Sequence, residues 1–291
     1  MFKGVFTAVI TPFTREDTLD EAAFRALIRF QVENGVQGIV PVGTTGESPT
    51  LTFEEHCRVI ELAVEETRGR VPVIAGAGSN STAEAVELTA FAKKAGAAAS
   101  LQVAPYYNKP TADGFFRHFT AIADKVDLPM VVYNIPGRTG KNIENATMLE
   151  LAKHKNIVAV KEASGNITQV MDLIRAKPKD FSVLSGDDNL TLPLMALGAD
   201  GVVSVASNLI PAQMAALVQQ AAAGKWNEAR AMHYALLPLF QAVFIETNPI
   251  PIKAALAMKG MTEETYRLPM CPLQPAHREN LKSVLDEMKL L

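Results

Sequence analysis

The sequence predicts an α/β protein, a (β/α)8 TIM barrel with a C-terminal helical appendage. Three observations carry this. Short β-branched runs alternate with stretches of helical periodicity eight times over, joined by short connections. No Gly-rich dinucleotide fingerprint follows the first strand, which argues against an open, doubly wound sheet. After Val205 the strand signals stop and only helical patterns follow.

In order, Val5 to Ile10 reads as the first strand. Asp20 caps a helix carrying Phe24, Leu27, Ile28 and Val32, and Asn34-Gly35 stops it. Gly38 to Val42 is the second strand, followed by Gly43-Thr44-Thr45-Gly46-Glu47-Ser48 and a helix opened by the capping box Thr52 to Glu55. Val71 to Gly76 is the third strand, and Ser81 to Glu84 reads as a second capping box. The fourth strand, Ser100 to Ala104, ends at Pro105-Tyr106-Tyr107-Asn108, and a helix near Phe115 to Ala123 leads to the fifth, Met130 to Asn134. A helix near Ala146 to Lys153 leads to the sixth, which ends at Lys161. Phe181 to Leu184 and Gly201 to Val205 are the last two. Helices are expected over Gln213–Ala223, Trp226–Phe244, Ile250–Met258 and Arg278–Leu290. The division expected is a barrel over residues 1–224 and a helical region over 225–291.

A chain of 291 residues, 48% hydrophobic, is long enough for such a barrel. A net charge of −3 gives no electrostatic footprint for nucleic acid or an anionic membrane. No apolar run reaches membrane-spanning length, and the N-terminus reads as a strand without a signal peptide. Two cysteines, Cys57 and Cys271, suggest no disulfide framework, so a reducing cytoplasm is the expected setting. The five histidines form no metal-ligand pair, and the carboxylates Glu47, Glu162, Asp187 and Asp188 show no glycosidase pattern.

Chemistry in such barrels sits at the C-terminal strand ends. There the sequence places Thr44, Thr45, Tyr106, Tyr107, Tyr133, Arg138, Lys161 and Gly186. Lys161 closes the apolar run Ile157-Val158-Ala159-Val160. Strand alternation puts it on the face of Ala159, with Val158 and Val160 opposite. Desolvation there lowers an amine's pKa and leaves a free base able to attack carbonyls. The other reading is a structural lysine paired with a carboxylate such as Glu162. The Thr44-Thr45 turn is either an ordinary βα turn or a cradle for a carboxylate. Tyr133 and Tyr107 are either core residues or proton relays, and Arg138 is either a solvated loop charge or a carboxylate clamp. Lys253 is a rival lysine, but it follows the barrel on a helix and reads as structural.

Five motifs then converge: Gly43-Thr44-Thr45-Gly46-Glu47-Ser48, Pro105-Tyr106-Tyr107-Asn108-Lys109-Pro110, Tyr133-Asn134-Ile135-Pro136-Gly137-Arg138-Thr139-Gly140, Lys161-Glu162-Ala163-Ser164-Gly165-Asn166 and Ser185-Gly186-Asp187-Asp188. With Asn248-Pro249-Ile250-Pro251-Ile252-Lys253, they closely resemble the dihydrodipicolinate synthases, pyruvate-dependent Schiff-base lyases, over essentially the whole chain in matching order. The resemblance implies that Lys161 forms an imine with pyruvate and that Tyr133, Thr44 and Tyr107 relay protons, Tyr107 from a neighbouring subunit. It implies that Thr45, Gly186 and Val203 line the pyruvate site and that Arg138 holds the carboxylate of L-aspartate 4-semialdehyde. It further implies no metal or organic cofactor, a role in diaminopimelate and lysine synthesis, and a homotetramer of two tight dimers. An L-lysine regulatory site would use Ser48, His56, Asn80, Glu84 and Tyr106. Outside the resemblance, Glu84 reads as a capping residue and His56 as a surface helix residue. Phe53 and Pro49 depart from strongly inhibited members, so weaker inhibition is expected. Two alternatives stay open: a sibling lyase for a sugar acid such as N-acetylneuraminate, and a catalytically idle pyruvate-binding sensor.

Overall fold

Wherever the chain turns from β-branched runs to helical periodicity, strand gives way to helix. The computed structural model describes residues 1–291. Its strands are β1 (Gly4–Ala8), β2 (Gly38–Val40), β3 (Ile74–Gly76), β4 (Ala99–Val103), β5 (Met130–Asn134), β6 (Ile157–Glu162), β7 (Ser182–Ser185) and β8 (Gly201–Ser204). The helices are α1 (Glu21–Glu33), α2 (Phe53–Thr67), α3 (Thr82–Ala95), α4 (Ala112–Lys125), α5 (Pro136–Thr139), α6 (Asn145–Leu151), α7 (Ile167–Ala176), α8 (Thr191–Ala196), α9 (Pro211–Ala222), α10 (Trp226–Ala242), α11 (Ile250–Met258) and α12 (Pro275–Glu287).

All strand pairs are parallel, in the order β2-β1-β8-β7-β6-β5-β4-β3. The ring closes between β2 and β3 through a single bridge, Ile39 to Val73, with bonds from Ile39 N to Pro72 O and from Gly76 N to Pro41 O. Pro72 has no N–H to donate, which shortens β3 from the expected Val71 start. Gly76 is required here, because a Cβ would stand 2.3 Å from Val42 O across the seam.

Phe6, Val40, Ile74, Leu101, Val131, Ala159, Leu184 and Val203 fill the barrel, with Tyr133 above them. Outward residues such as Val132, Val160 and Val183 pack against the helices. The expected alternation along β6 holds for Ala159, Val160 and Lys161 but fails for Val158. The β5–β6 register slips between Met130 and Val131, and this bulge turns Val158 against the interior cluster instead of onto Val160's face. Helices α9 to α12 share one core with β1, α1 and α2, through Met214, Leu239, Phe240, Ile252, Leu281 and Leu285.

Two of the three expected caps form as read. Asp20 accepts from Ala23 N at 2.9 Å, and the Thr52–Glu55 box closes in both directions at 3.2 and 2.9 Å. The box at Ser81 forms only by half. Ser81 Oγ accepts from Glu84 N at 3.5 Å, but the Glu84 carboxylate turns instead to the Ser79 hydroxyl at 2.5 Å.

Candidate active site

Register brings the first pair together. Tyr133 on β5 is the direct neighbour of Lys161 on β6, and both point into the barrel mouth. The Lys161 ammonium stands 4.0 Å from the centre of the Tyr133 ring. Lys161 is 5% exposed and forms no ion pair. Glu162, the expected alternative partner, faces the other way. Its carboxylate accepts from Asn134 Nδ2 at 3.2 Å and from Ser164 N at 2.7 Å. Desolvation lowers the Lys161 pKa from 10.5 to about 8; Asp187 and Asp188 oppose the drop and Arg138 adds to it. Burial pushes the Tyr133 phenol up; the Arg138 charge and, to a lesser degree, the nearby Thr44 side chain work against that rise.

The Thr44 turn follows β2 directly. It is a short 3-10 segment, Thr44–Gly46, flanked by left-handed residues, Val42 at φ 49° and Glu47 at φ 53°. A β-branched residue at positive φ is strained and persists only where its surroundings hold it. The hold comes from far along the chain. Asn248 Nδ2 donates to Thr45 Oγ1 at 3.0 Å, and Arg138 donates to Asn248 O at 3.1 Å. Asn248, which the sequence reading took only as part of a motif and gave no role, therefore links the two expected carboxylate-binding residues. Its Oδ1 is buried and unpaired.

Gly186, after β7, presses against the lysine. A Cβ there would stand 2.7 Å from Ala163 Cβ and 3.2 Å from Lys161 Cε. Val203, on β8 next to the strand that leads to Gly186, forms part of the barrel interior and is 1% exposed. Asp188 is buried and accepts from Val205 N at 3.0 Å and Ala206 N at 2.8 Å.

A cleft of about 390 Å³ opens beside this mouth, and Thr44 lines both it and the small cavity under Tyr133. Arg138, Ser48, His56, Glu84 and Tyr106 line the cleft, as do Pro49 and Phe53. Asn80 is not among the lining residues; its Nδ2 donates to Tyr106 O at 3.2 Å. The surface reading of His56 is corrected. It is 8% exposed, its Nε2 lies 2.7 Å from Gly76 O, and burial lowers its pKa. Ser79, which the sequence reading missed, lines the cleft and fixes Glu84. Tyr107 is not brought to Lys161 within one chain. It is 91% exposed with φ 70°.

The model of the dihydrodipicolinate synthetase family matches residues 1–288. The chain belongs to this family. It is 54% identical over 291 residues to the 4-hydroxy-tetrahydrodipicolinate synthase of Syntrophus aciditrophicus, covering 100% of both chains. It is 51% identical over 291 residues to that of Geotalea uraniireducens, again covering 100% of both. Among solved structures it is similar to dihydrodipicolinate synthase from Aquifex aeolicus, at 50% identity and a TM-score of 0.98, covering 99% of each chain. The family's TIM barrel is the fold read from the strand pattern.

Proposed function

We propose that the chain condenses pyruvate with L-aspartate 4-semialdehyde to give 4-hydroxy-tetrahydrodipicolinate. The observation that carries this is Lys161: a buried amine with a pKa of about 8, no carboxylate partner and a phenol against it. Its free base adds to the pyruvate ketone, and loss of water leaves an imine. The imine nitrogen draws electrons from the adjacent carbon, so the pyruvate methyl group gives up a proton and becomes an enamine carbon. That carbon attacks the aldehyde of the second substrate. The amine of the bound intermediate then displaces Lys161 from the imine carbon, closing the ring and freeing the lysine.

In this reading Tyr133, Thr44 and Tyr107 relay the protons, with Tyr107 supplied by a neighbouring chain. Its near-complete exposure fits a residue without work in its own subunit. Thr45 and the Thr44 turn hold the pyruvate carboxylate, and Gly186 and Val203 shape the space around the imine. Arg138 holds the carboxylate of the semialdehyde with a planar fork. A related synthase from Acinetobacter baumannii, 41% identical, has been solved as a complex with pyruvate. Another from Cyanidioschyzon merolae, 43% identical, has been solved with lysine bound. In this chain L-lysine binds in the cleft of Ser48, His56, Glu84 and Tyr106, with Asn80 supporting from behind. Inhibition is weaker than in sensitive members, because Phe53 and Pro49 line the cleft. Two tight dimers assemble into a tetramer, and the reaction belongs to the cytoplasm.

The test is borohydride trapping of the pyruvate adduct, followed by turnover with the semialdehyde beside N-acetylmannosamine. Adduct on the Lys161 peptide and turnover with the semialdehyde alone are expected, both lost in Lys161→Ala. Arg138→Ala should keep the adduct and lose turnover. Turnover with the sugar instead would overturn the assigned role of Arg138, and adduct without any turnover would leave a sensor. An initial rate untouched by L-lysine would remove the regulatory reading.

A further inference from the structure

We propose that the buried Glu47–Lys253 ion pair is a positioning device for the Thr44-Thr45 turn, so that the start of α11 belongs to the working site. The proposal rests on the reading of that turn as the pyruvate-carboxylate cradle. Glu47 is 3% exposed and Lys253 is 0% exposed. Lys253 donates to the Glu47 carboxylate and, at 3.1 Å, to Thr11 O. Thr11 in turn donates its hydroxyl to Gly46 O at 2.7 Å. The second Glu47 oxygen accepts from Arg267 N at 3.3 Å. The ammonium also lies 4.4 Å from the centre of the Phe13 ring.

These bonds converge on the strained turn. Lys253 holds its C-terminal end through Glu47, and Asn248, five residues earlier on the same segment, holds Thr45. Desolvating two charges is costly, and an apolar pair of similar volume packs as stably or more so. A buried pair is therefore poor equipment for stability alone. It does fix one geometry, because the carboxylate must meet an ammonium and a backbone N–H at once. A turn left-handed at Val42 and Glu47 needs such a fixture to keep its N–H groups and hydroxyls aimed at the barrel mouth.

The test compares wild type with Lys253→Met, Glu47→Gln and the double variant Glu47→Gln/Lys253→Met. The double variant removes both charges at similar volume, so it avoids the uncompensated buried charge that a single change leaves. Half-saturation by pyruvate, read from borohydride trapping, should rise about ten- to a hundredfold in the double variant, the range seen when a supporting partner is lost. The maximal trapping rate should change little, because Lys161 is untouched. Pyruvate should also slow amide exchange of wild type over residues 248–267 as well as over 43–47. Half-saturation equal to wild type in the double variant overturns the proposal, as does exchange over 248–267 that pyruvate leaves unchanged. Where no variant folds, the exchange measurement decides alone. Absence of any adduct in wild type would instead take down the functional reading itself, and the proposal with it.

Discussion

Replacing Lys161 with methionine should make the protein more stable while ending its chemistry. The side chain is buried without a counter-charge, so the native state binds its proton more weakly than the unfolded chain does. A folded pKa below the unfolded one is a cost, present in full below the folded value and gone above the unfolded one. The drop from 10.5 to about 8 converts, at ~1.4 kcal/mol per tenfold, to about 3 kcal/mol. Methionine fills a similar volume without the charge, so urea unfolding at about pH 7 should show Lys161→Met more stable by about 3 kcal/mol. At about pH 9.5 the native amine is already neutral while the unfolded chain still holds the proton, but only weakly, and the gain should shrink to about 1 kcal/mol. A variant no more stable than wild type at the lower pH, or a gain that pH does not alter, would refute the claim that this lysine is held against its solvation.

Other outcomes follow from the same geometry. The rate of pyruvate trapping should rise with pH with its midpoint near 8, the Lys161 value, and level off above it; a midpoint near 10.5 would mean the amine is not desolvated. Asp187→Asn removes the charge that most favours the ammonium, so the midpoint of that profile should fall, and an upward move would contradict the sign. Gly186→Ala should push on Lys161 Cε and Ala163 at a cost of about 1–3 kcal/mol and slow turnover; a variant of wild-type rate and stability would show the contact to be slack. Burial pushes the Cys57 thiol up to about 11, so iodoacetamide should label exposed Cys271 and spare Cys57, as peptide mass mapping would show.

What could be read from sequence was what repeats locally. The barrel showed because each strand and helix carries its own periodicity, and Lys161 stood out because alternation places it beside Ala159. Where local pattern misled, a neighbour was responsible. The bulge against β5 turned Val158 inward, and Ser79 captured the carboxylate that Glu84 was expected to return to its own cap. Long-range partners left no trace. Asn248 reaches Thr45 across 203 positions and Lys253 reaches Glu47 across 206, and no periodicity encodes such a meeting. His56 looked like a surface residue because its helix position says nothing of Gly76 O waiting beneath it.

The single bridge between β2 and β3 makes the barrel a hoop with a clasp. The cleft lies over that clasp, with Ser48 and Leu51 from one side of the join and Gly78 and Ser79 from the other. A molecule wedged there acts as a rivet across the loosest joint of the ring. Lys161 sits on the far arc, on the sixth of eight staves, so stiffening the join would be felt there as a change in the roundness of the mouth. Slower amide exchange at Ile39 and Gly76 on filling the cleft would register the rivet, and unchanged exchange would mean that the hoop is already tight.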